Sequence, residues 1–390
     1  MPSAAFDRRT HDLLASLRDS GQYKYLQSIS GPMGPTAIIR GIGEVIVLCS
    51  NNYLGLANHP EVREAGAEGL FRYGAGTSSV RFICGTFDCH GELEAALARF
   101  SGTPAALTYV SCWTANEGLI PTVATPQDVI ISDELNHASI IDGCRLAKGV
   151  ERTVYRHGDM EDLKSKLEAH SDKAVRWVIT DGVFSMEGDV ADLPAIVELC
   201  RRYEAMLIVD DSHGAGVLGE TGRGTAEHFG MLGQVDVITG TLGKALGGAA
   251  GGYVAASGHL IDLLVQRSRP SLFSNALPAT VACSARKAIE IIEREPHRVR
   301  RLHENVCRIR DGLRKLGYDC HESPTAIMPI LIGDTAEAIA KSRRLLELGV
   351  FVIGFGYPVV PQGKARLRVQ VSAALEPHHI EQALDAFRKL

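Results

Sequence analysis

The sequence predicts an α/β protein in which a mostly parallel sheet, covered by helices on both faces, forms a three-layer large domain, followed by a smaller α+β domain. In the first part of the chain, short apolar runs alternate with helical patterns, and such runs are typical of parallel strands buried on both faces. After residue 276 the pattern changes to long helices with isolated strands between them. Glycine is frequent, with 40 residues, as the many tight strand-to-helix turns of such a fold require.

The predicted elements divide the chain into three regions. Residues 1–45 contain one helix, Thr10–Arg18, and then an irregular arm. Residues 46–275 form the large domain, with crossover helices at Leu163–Glu168 and Leu193–Tyr203. Its predicted strands are Ala105–Tyr109, Val129–Ile131, Trp177–Thr180, Met206–Val209, Val235–Thr239 and Gly252–Ala255. Residues 276–390 form the small domain, with helices Ala279–Glu293, Val299–Leu316, Glu337–Leu348 and Pro377–Leu390 and strands Ile327–Ile332, Val350–Ile353 and Ala365–Val371.

Composition excludes several classes of partner. The 390 residues are 45% apolar and carry a net charge of −5, so they can bury a large core but offer no basic surface for nucleic acid. We find no apolar run of the roughly 20 residues that a membrane span needs, and no apolar segment of a signal peptide. The nine cysteines form no CxxC pair, which favours reduced thiols and a cytoplasmic location.

Polar residues that can do chemistry follow the predicted strands, at the edge where an open parallel sheet binds its ligands. In chain order they are Ser111, Cys112, Trp113, His137, Ser185, Asp210, His213 and Lys244. Taken singly, each has a commoner explanation: a lysine is usually a surface charge, an aspartate a helix cap and a serine a turn residue. Their joint placement after successive strands is what favours a functional site.

Lys244 and Asp210 together favour a bound pyridine ring that carries an aldehyde. Lys244 lies among small residues, Thr239–Gly248, and an amine in such a pocket can lose its proton and attack a carbonyl. An aspartate at a strand end can keep a pyridine nitrogen protonated, and that charge makes the ring an electron sink. His137 can stack on a flat ring. Candidates to hold a phosphate are the Thr241 side chain and the backbone N–H groups of Cys112 and Trp113 at a helix start.

Three other interpretations of these segments are weaker. Gly214–Gly219 matches the dinucleotide fingerprint GxGxxG, and Asp236 lies about 20 residues later, but no helical pattern opens inside the motif. Gly240–Lys244 has two residues between the first glycine and the Gly-Lys pair, where a P-loop has four. Asp210–His213 offers metal-ligand side chains, but no second ligand cluster has a matching spacing, so we predict no metal.

Longer blocks resemble the α-oxoamine synthases, which are fold-type-I enzymes that use pyridoxal 5′-phosphate (PLP). Within that family the sequence most resembles the 2-amino-3-ketobutyrate CoA ligases, also called glycine C-acetyltransferases. The similarity runs from about Asn51 to Ala374 and rests on the blocks Ser50–Pro60, Ser79–Thr86, Ile131–Gly143, Thr180–Met186, Val209–His213, Thr239–Gly248, Arg269–Asn275 and Tyr357–Pro361. The resemblance therefore implies a fold-type-I PLP transferase.

The resemblance also implies a role for each residue around the cofactor. Lys244 would hold PLP as a Schiff base and move the α-proton of the substrate, and Asp210 would pair with the ring nitrogen. His137 would stack on the ring and contact the substrate, and we count it with Lys244 as catalytic. The remaining cofactor contacts would come from His213 and Ser185 at the ring's phenolic oxygen, and from Cys112, Trp113 and Thr241 at the ring face or phosphate.

Two further pairs of residues complete the implied site. Ser274 and Asn275 would reach the phosphate from a partner subunit, so the resemblance implies a homodimer with shared active sites. Asn51 and Arg368 would bind the carboxylate of the amino acid, which suits a guanidinium because its planar fork grips a carboxylate with two hydrogen bonds.

The implied reaction joins glycine and acetyl-CoA to give 2-amino-3-ketobutyrate and CoA, or cleaves that product in threonine degradation. Relatives such as the 8-amino-7-oxononanoate synthases decarboxylate the adduct to an amino ketone. This chain departs from the ligases at Gly354-Phe-Gly-Tyr-Pro358, where they have Gly-Phe-Phe-Tyr-Pro, and at Ser111–Gly118. Gly356 removes a large side chain near the expected substrate entrance. A longer acyl-CoA, or an amino acid other than glycine, therefore stays an alternative substrate. A PLP-binding protein without turnover and an NAD-dependent dehydrogenase are the alternatives from other classes.

Overall fold

The computed structural model describes residues 3–320 and 322–390, and its strands form three sheets in this part of the chain. The strands are β1 (Thr36–Ile39), β2 (Gly43–Val47), β3 (Ala105–Tyr109), β4 (Val129–Asp133), β5 (Glu151–Tyr155), β6 (Arg176–Asp181), β7 (Met206–Asp210), β8 (Val237–Thr241), β9 (Gly252–Ala256), β10 (Ile327–Gly333), β11 (Val350–Phe351), β12 (Ile353–Phe355) and β13 (Ala365–Gln370).

The helices alternate with these strands. They are α1 (Ala4–Asp19), α2 (Pro60–Tyr73), α3 (Asp88–Ser101), α4 (Cys112–Val123), α5 (Ala138–Leu146), α6 (Met160–Ala169), α7 (Leu193–Arg202), α8 (Thr225–His228), α9 (Gly258–Arg267), α10 (Arg269–Phe273), α11 (Ala279–Arg294), α12 (His297–Lys315), α13 (Thr335–Glu347) and α14 (Pro377–Arg388), with a short π-helical turn at Arg81–Gly85. Among the residues described, no helix is both long and apolar enough to cross a membrane.

The central sheet has seven strands in the order β3-β9-β8-β7-β6-β4-β5, and only β9 runs antiparallel to its neighbours. All six predicted apolar runs are strands of this sheet, which confirms the predicted α/β fold. The edge strand β5 was not predicted, because only Tyr155 of its residues is buried and it therefore shows no apolar run.

Helices cover this sheet on both faces, and alternate strand residues enter two separate cores. In β7, Leu207 and Val209 pack into one core, while Ile208 packs into the other. Successive side chains of a strand point to opposite faces, so two cores on either side of one sheet define three layers. The first core continues into the C-terminal region as far as Phe387, so the two regions share buried surface.

The C-terminal region contains an antiparallel sheet, β10-β13-β12, and the chain's N-terminal strands join a third sheet, β1-β2-β11. The predicted irregular arm is therefore wrong for residues 36–39 and 43–45, which form β1 and the start of β2. Strand β2 crosses the proposed boundary at residue 45 and pairs with β11. The single strand predicted at Val350–Ile353 is also wrong, because Val352 divides it between two sheets. The limits of the three predicted regions otherwise stay a prediction.

Candidate active site

The carboxyl ends of β4, β6, β7 and β8 lie side by side at one edge of the central sheet. Asp181 of β6 pairs in register with Asp210 of β7, and Asp210 pairs with Thr239 of β8. His137 caps α5 just after β4, and Lys244 lies in the turn just after β8. The sheet therefore brings the predicted residues to one edge.

Asp210 is buried and surrounded by hydrogen-bond donors. Its Oδ2 accepts from Asn116 Nδ2 at 2.7 Å and from the thiol of Cys112 at 3.5 Å, and its Oδ1 accepts from the backbone N–H of Ser212 at 3.0 Å. Burial alone would raise the pKa of Asp210, but the hydrogen bonds from Ser212 and Asn116 and the charge of Lys244 outweigh it and hold the pKa below its ordinary value. Asp210 is therefore an ionised carboxylate inside the fold.

Lys244 is an amine whose charged form the site disfavours. Burial lowers the pKa of Lys244, and the negative charge of Asp210 offsets this only in part. The turn that carries it is shaped by Thr241, whose Oγ1 accepts from the N–H of Gly243 at 3.1 Å. A lysine with a lowered pKa has more of the neutral form that attacks a carbonyl.

His137 is held in one orientation by its own helix and by the neighbouring strand. Its Nδ1 lies 2.8 Å from Ser139 Oγ, and its backbone N–H donates to Asp181 Oδ2 at 2.7 Å. The Trp113 ring meets it edge-on, with 5.9 Å between the centroids. Burial lowers the pKa of His137, which favours the neutral imidazole that stacking on a ring needs.

The start of α4 approaches the same edge closely. Ser111 caps the helix, with its Oγ accepting from the N–H of Thr114 at 3.1 Å. The close approach depends on Gly252, because a Cβ there would overlap the backbone of Cys112. Cys112 and Trp113 therefore lie at this edge of the sheet, while their part in holding a phosphate stays a prediction.

Arg368 of β13 reaches the site from the small sheet. Its Nη1 donates to the backbone carbonyl of Ser185 at 2.8 Å, and its Nη2 donates to Gln370 Oε1 at 3.1 Å. Gln370 Nε2 then donates to Asn51 Oδ1 at 2.5 Å, and the Phe355 ring lies 4.8 Å from the Arg368 guanidinium carbon. The two predicted carboxylate-binding residues, Asn51 and Arg368, are thus joined through one glutamine.

Tyr53 extends this chain of hydrogen bonds to His213. Its Oη accepts from Gln370 Nε2 at 2.9 Å and lies 2.9 Å from His213 Nδ1. Burial lowers the pKa of His213 well below its ordinary value, so the ring is neutral. The contact with Tyr53 occupies Nδ1 and leaves Nε2 for a ligand. Sequence reasoning missed Tyr53, Gln370, Asn116 and Asp181, although Gln370 lies two residues from Arg368 and so shares its strand face.

The remaining predicted residues lie apart from this cluster or contribute only backbone atoms. Ser185 offers its carbonyl to Arg368, and its hydroxyl makes no hydrogen bond among the described residues. Ser274 and Asn275 follow α10 and line a small recess with Tyr109 and Thr114. Lys244 is not among the residues that line this recess. Within one chain, this recess therefore does not place Ser274 and Asn275 beside Lys244.

The residues present fit PLP. Asp210 is a buried anion whose neighbours His137 and His213 are neutral, and Lys244 has a weakened charge. Such a carboxylate favours a cationic partner, and a protonated pyridine nitrogen supplies one. The dinucleotide alternative does not fit, because residues 211–224 form a loop and the helix that follows, α8, has only four residues.

Comparison with known proteins defines the class. The chain matches the family model for aminotransferase class I and II over residues 43–387. It is 47% identical to the 8-amino-7-oxononanoate synthase of Thermoanaerobacter pseudethanolicus, over 97% of both chains. It is 46% identical to the human mitochondrial 2-amino-3-ketobutyrate coenzyme A ligase, over 96% of this chain and 89% of that protein. A solved structure of the serine palmitoyltransferase SPT with PLP superposes with a TM-score of 0.94 at 31% identity, covering 100% of this chain and 98% of that one.

A lysine, a buried carboxylate and a fixed histidine at the carboxyl edge of a parallel sheet define a PLP-dependent transferase, and the chain belongs to the aminotransferase class I and II family. Within that family it is one of the α-oxoamine synthases, with pyridoxal phosphate as its cofactor. The predicted family, fold type, enzyme class and cofactor are confirmed.

Proposed function

We propose that the protein condenses glycine with acetyl-CoA to give 2-amino-3-ketobutyrate and CoA, or runs the reverse cleavage. The observation that carries the proposal is the hydrogen-bonded series Arg368–Gln370–Asn51 beside the edge that holds Lys244. It holds a half-buried guanidinium and an amide close together, which suits the carboxylate of an amino acid. The acetyl group is chosen from the sequence blocks at 79–86 and 357–361, which resemble those of glycine C-acetyltransferases.

Each residue has a defined task in this proposal. When bound, PLP supplies an electron sink that stabilises negative charge at the Cα atom of the amino acid. Lys244 Nζ removes the proton from Cα, and Arg368 holds the carboxylate so that this C–H bond faces Lys244. Asp210 would hold the ring nitrogen in its protonated form. His137 would face the ring and keep water from it.

A decarboxylating synthase that takes a longer acyl-CoA is the second candidate. The relative named 8-amino-7-oxononanoate synthase is 47% identical to this chain, and the relative named 2-amino-3-ketobutyrate coenzyme A ligase is 46% identical, so identity does not separate them. At Gly356 itself there is no spare room, because a Cβ there would overlap the Thr335 side chain. A cavity of about 340 Å³ lies beside it, and its apolar lining residues include Tyr23, Ile339, Leu346, Phe351, Ile353 and Phe355. Phe355 lines this cavity and its ring contacts the Arg368 guanidinium, so the cavity is a candidate space for an acyl chain.

A panel of amino acids and acyl-CoA thioesters distinguishes the two candidates. With glycine and acetyl-CoA we expect one CoA per 2-amino-3-ketobutyrate, measured by thiol release and by the mass of product reduced with borohydride at once. The immediate reduction is needed because a free β-keto acid loses CO₂ in solution, so only CO₂ released at the rate of CoA release counts as enzymatic. One CO₂ per turnover, with a longer thioester preferred by more than about tenfold per added methylene group, would instead support the decarboxylating synthase. No thiol release with any pair would reject both.

A homodimer that shares its active sites is also part of the proposal. Helix α10, which precedes Ser274 and Asn275, packs on the turn Arg81–Gly85. Three large apolar side chains are exposed to solvent there: Phe82 is 61% exposed, Ile83 is 68% exposed and Phe273 is 71% exposed. An apolar patch of this kind marks an interface, and in a symmetric dimer the same patch contributes from both subunits.

Ile83→Glu is expected to turn a dimer into a monomer, because two like charges would face each other across the symmetric patch. The kcat/KM should then fall at least about tenfold, since each lost hydrogen bond to the charged phosphate contributes about 1.5–3 kcal/mol. Sedimentation velocity and thiol release measure the two effects. Leu331→Glu, at an exposed position of the small sheet, is the matched control. A monomeric Ile83→Glu with full activity would contradict the shared site.

A further inference from the structure

His157 lies outside the residues assigned so far, in the loop between β5 and α6, yet it bridges two carboxylates from different parts of the chain. Its Nδ1 lies 3.0 Å from Asp133 Oδ1, at the end of β4, and its Nε2 lies 2.6 Å from Asp189 Oδ2. A carboxylate oxygen can only accept, so both ring nitrogens must donate. His157 is therefore a doubly protonated, positively charged side chain.

The charges around His157 agree with this protonation. Burial alone would lower the pKa of His157, but the hydrogen bonds to Asp133 and Asp189 outweigh it and raise the pKa to about 10. Glu134 also faces this loop, and its Oε1 accepts from the backbone N–H of His157 at 3.0 Å. The neighbouring Arg156 pairs instead with Asp159 and Asp162. Both groups that bond the imidazolium ring are therefore acidic.

His157 contacts the loop Phe184–Asp189 at both of its ends. Its ring packs edge-on against Phe184, with 4.3 Å between the centroids, and its Nε2 bonds the carboxylate of Asp189. The base of the loop is closed by the N–H of Phe184, which donates to the carbonyl of Asp189 at 3.0 Å. The segment therefore has a fixed position relative to the central sheet.

The opposite side of the same loop holds the two arginines of β13. Ser185 O accepts from Arg368 Nη1 at 2.8 Å, and Met186 O accepts from Arg366 Nη1 at 2.9 Å. Glu187 Oε1 also pairs with Arg366 Nη1 at 3.1 Å. The loop is thus the connection between His157 on the large sheet and Arg368 on the small one.

We infer that His157 is a positioning residue for the amino-acid substrate: by bridging Asp133 and Asp189 it fixes the loop whose Ser185 carbonyl group holds Arg368. This rests on the proposed function, in which Arg368 binds the substrate carboxylate. A displaced guanidinium would bind the substrate carboxylate more weakly, because hydrogen bonds depend steeply on distance and angle. His157 itself touches neither substrate nor cofactor.

The test is His157→Gln in the holoenzyme, because a neutral amide can donate to only one of the two carboxylates. The KM for glycine should rise about tenfold, with kcat at saturating glycine and the KM for acetyl-CoA changed less than about twofold. The double variant His157→Gln/Asp189→Asn should return the KM for glycine toward the wild-type value, since two amides can bond each other without charge. The control is His170→Gln, which alters a half-buried histidine just after α6 that bonds Lys166 O and Glu151.

Titration of the cofactor absorbance with glycine gives a dissociation constant that does not depend on turnover. If the wild type binds glycine but transfers no acyl group, the proposed function fails, and the ratio of dissociation constants still tests His157. If His157→Gln lowers only the melting temperature and leaves both the dissociation constant and the KM for glycine unchanged, the residue is structural and the inference is wrong.

The pH dependence of stability is a second measurement. Because the folded-state pKa of His157 lies above its ordinary value of 6.5, its stabilisation is complete below pH 6.5 and disappears as the pH rises to about 10. The difference in melting temperature between wild type and His157→Gln should therefore narrow from pH 7 to pH 10. A constant difference would mean that His157 is not charged in the folded protein.

Discussion

Lys244→Ala is expected to lower the rate of CoA release at least about a thousandfold, the range by which a positioned acid–base group accelerates a reaction. Lys244 is the amine placed at the carboxyl edge of the sheet with a pKa below its ordinary value. Its single amine both attacks the cofactor and moves the α-proton, so the substitution removes both functions. Thiol release with glycine and acetyl-CoA measures the loss.

Borohydride reduction checks the same lysine without relying on turnover. In the wild type, the reduced cofactor should be found on the peptide that contains Gly243-Lys244-Ala245, and in Lys244→Ala it should not be covalently attached. Lys148→Ala, at an exposed position, is the control and should behave as the wild type does. A modified peptide from elsewhere in the wild type would refute the assignment of Lys244.

Asp210→Asn is expected to reduce kcat by about a hundredfold or more while leaving the fold intact. An asparagine keeps the shape of the side chain but cannot hold a pyridine nitrogen in its protonated form, so the ring withdraws fewer electrons from Cα. The reduction should appear in kcat and in kcat/KM equally, because the lost interaction matters most in the transition state. Steady-state kinetics with saturating PLP and the absorbance of the bound cofactor are the measurements.

Asp211→Asn is the informative comparison, because the two neighbouring carboxylates have opposite environments. Asp211 bonds the N–H and hydroxyl of Thr225, and burial raises the pKa of Asp211 to about 7. Its replacement should lower the free energy of unfolding by about 1–3 kcal/mol, as an impaired buried hydrogen-bond pair does, with little change in kcat. An Asp211→Asn enzyme as inactive as Asp210→Asn would show that the loss reflects damage to this segment rather than the chemistry of Asp210.

Much of the fold is predictable from the sequence because the buried parallel strands are continuous apolar runs. Strand β5 escaped prediction because it is largely exposed and shows no apolar run. Strand β2 does have a buried apolar run, but part of its pairing is with β11, whose residues lie at the other end of the chain. Pairings between distant segments depend on the whole fold, so no window of sequence contains them.

The candidate site likewise contains residues that the sequence predicts and residues that it does not. Asp210, His137 and Lys244 are predictable because each follows a strand, and strand ends meet at one edge of the sheet. The contacts that hold them are not predictable in the same way. Tyr53 and His157 act on side chains far away in sequence, and only the folded chain shows that Tyr53 meets His213 or that His157 meets Asp189. Among the missed residues, Gln370 alone had a local signal, its period-two spacing from Arg368.

The pairing of Ile46 with Val350 has a consequence for the protein during its synthesis. A ribosome releases β2 early, whereas β11 emerges only after most of the chain has been made. Until then one edge of β2 lacks its hydrogen-bonding partner, and an open strand edge is a place where chains join wrongly. Completion of the small C-terminal sheets is therefore a late event in folding, and a nascent chain stalled before residue 350 is the species most in need of a chaperone.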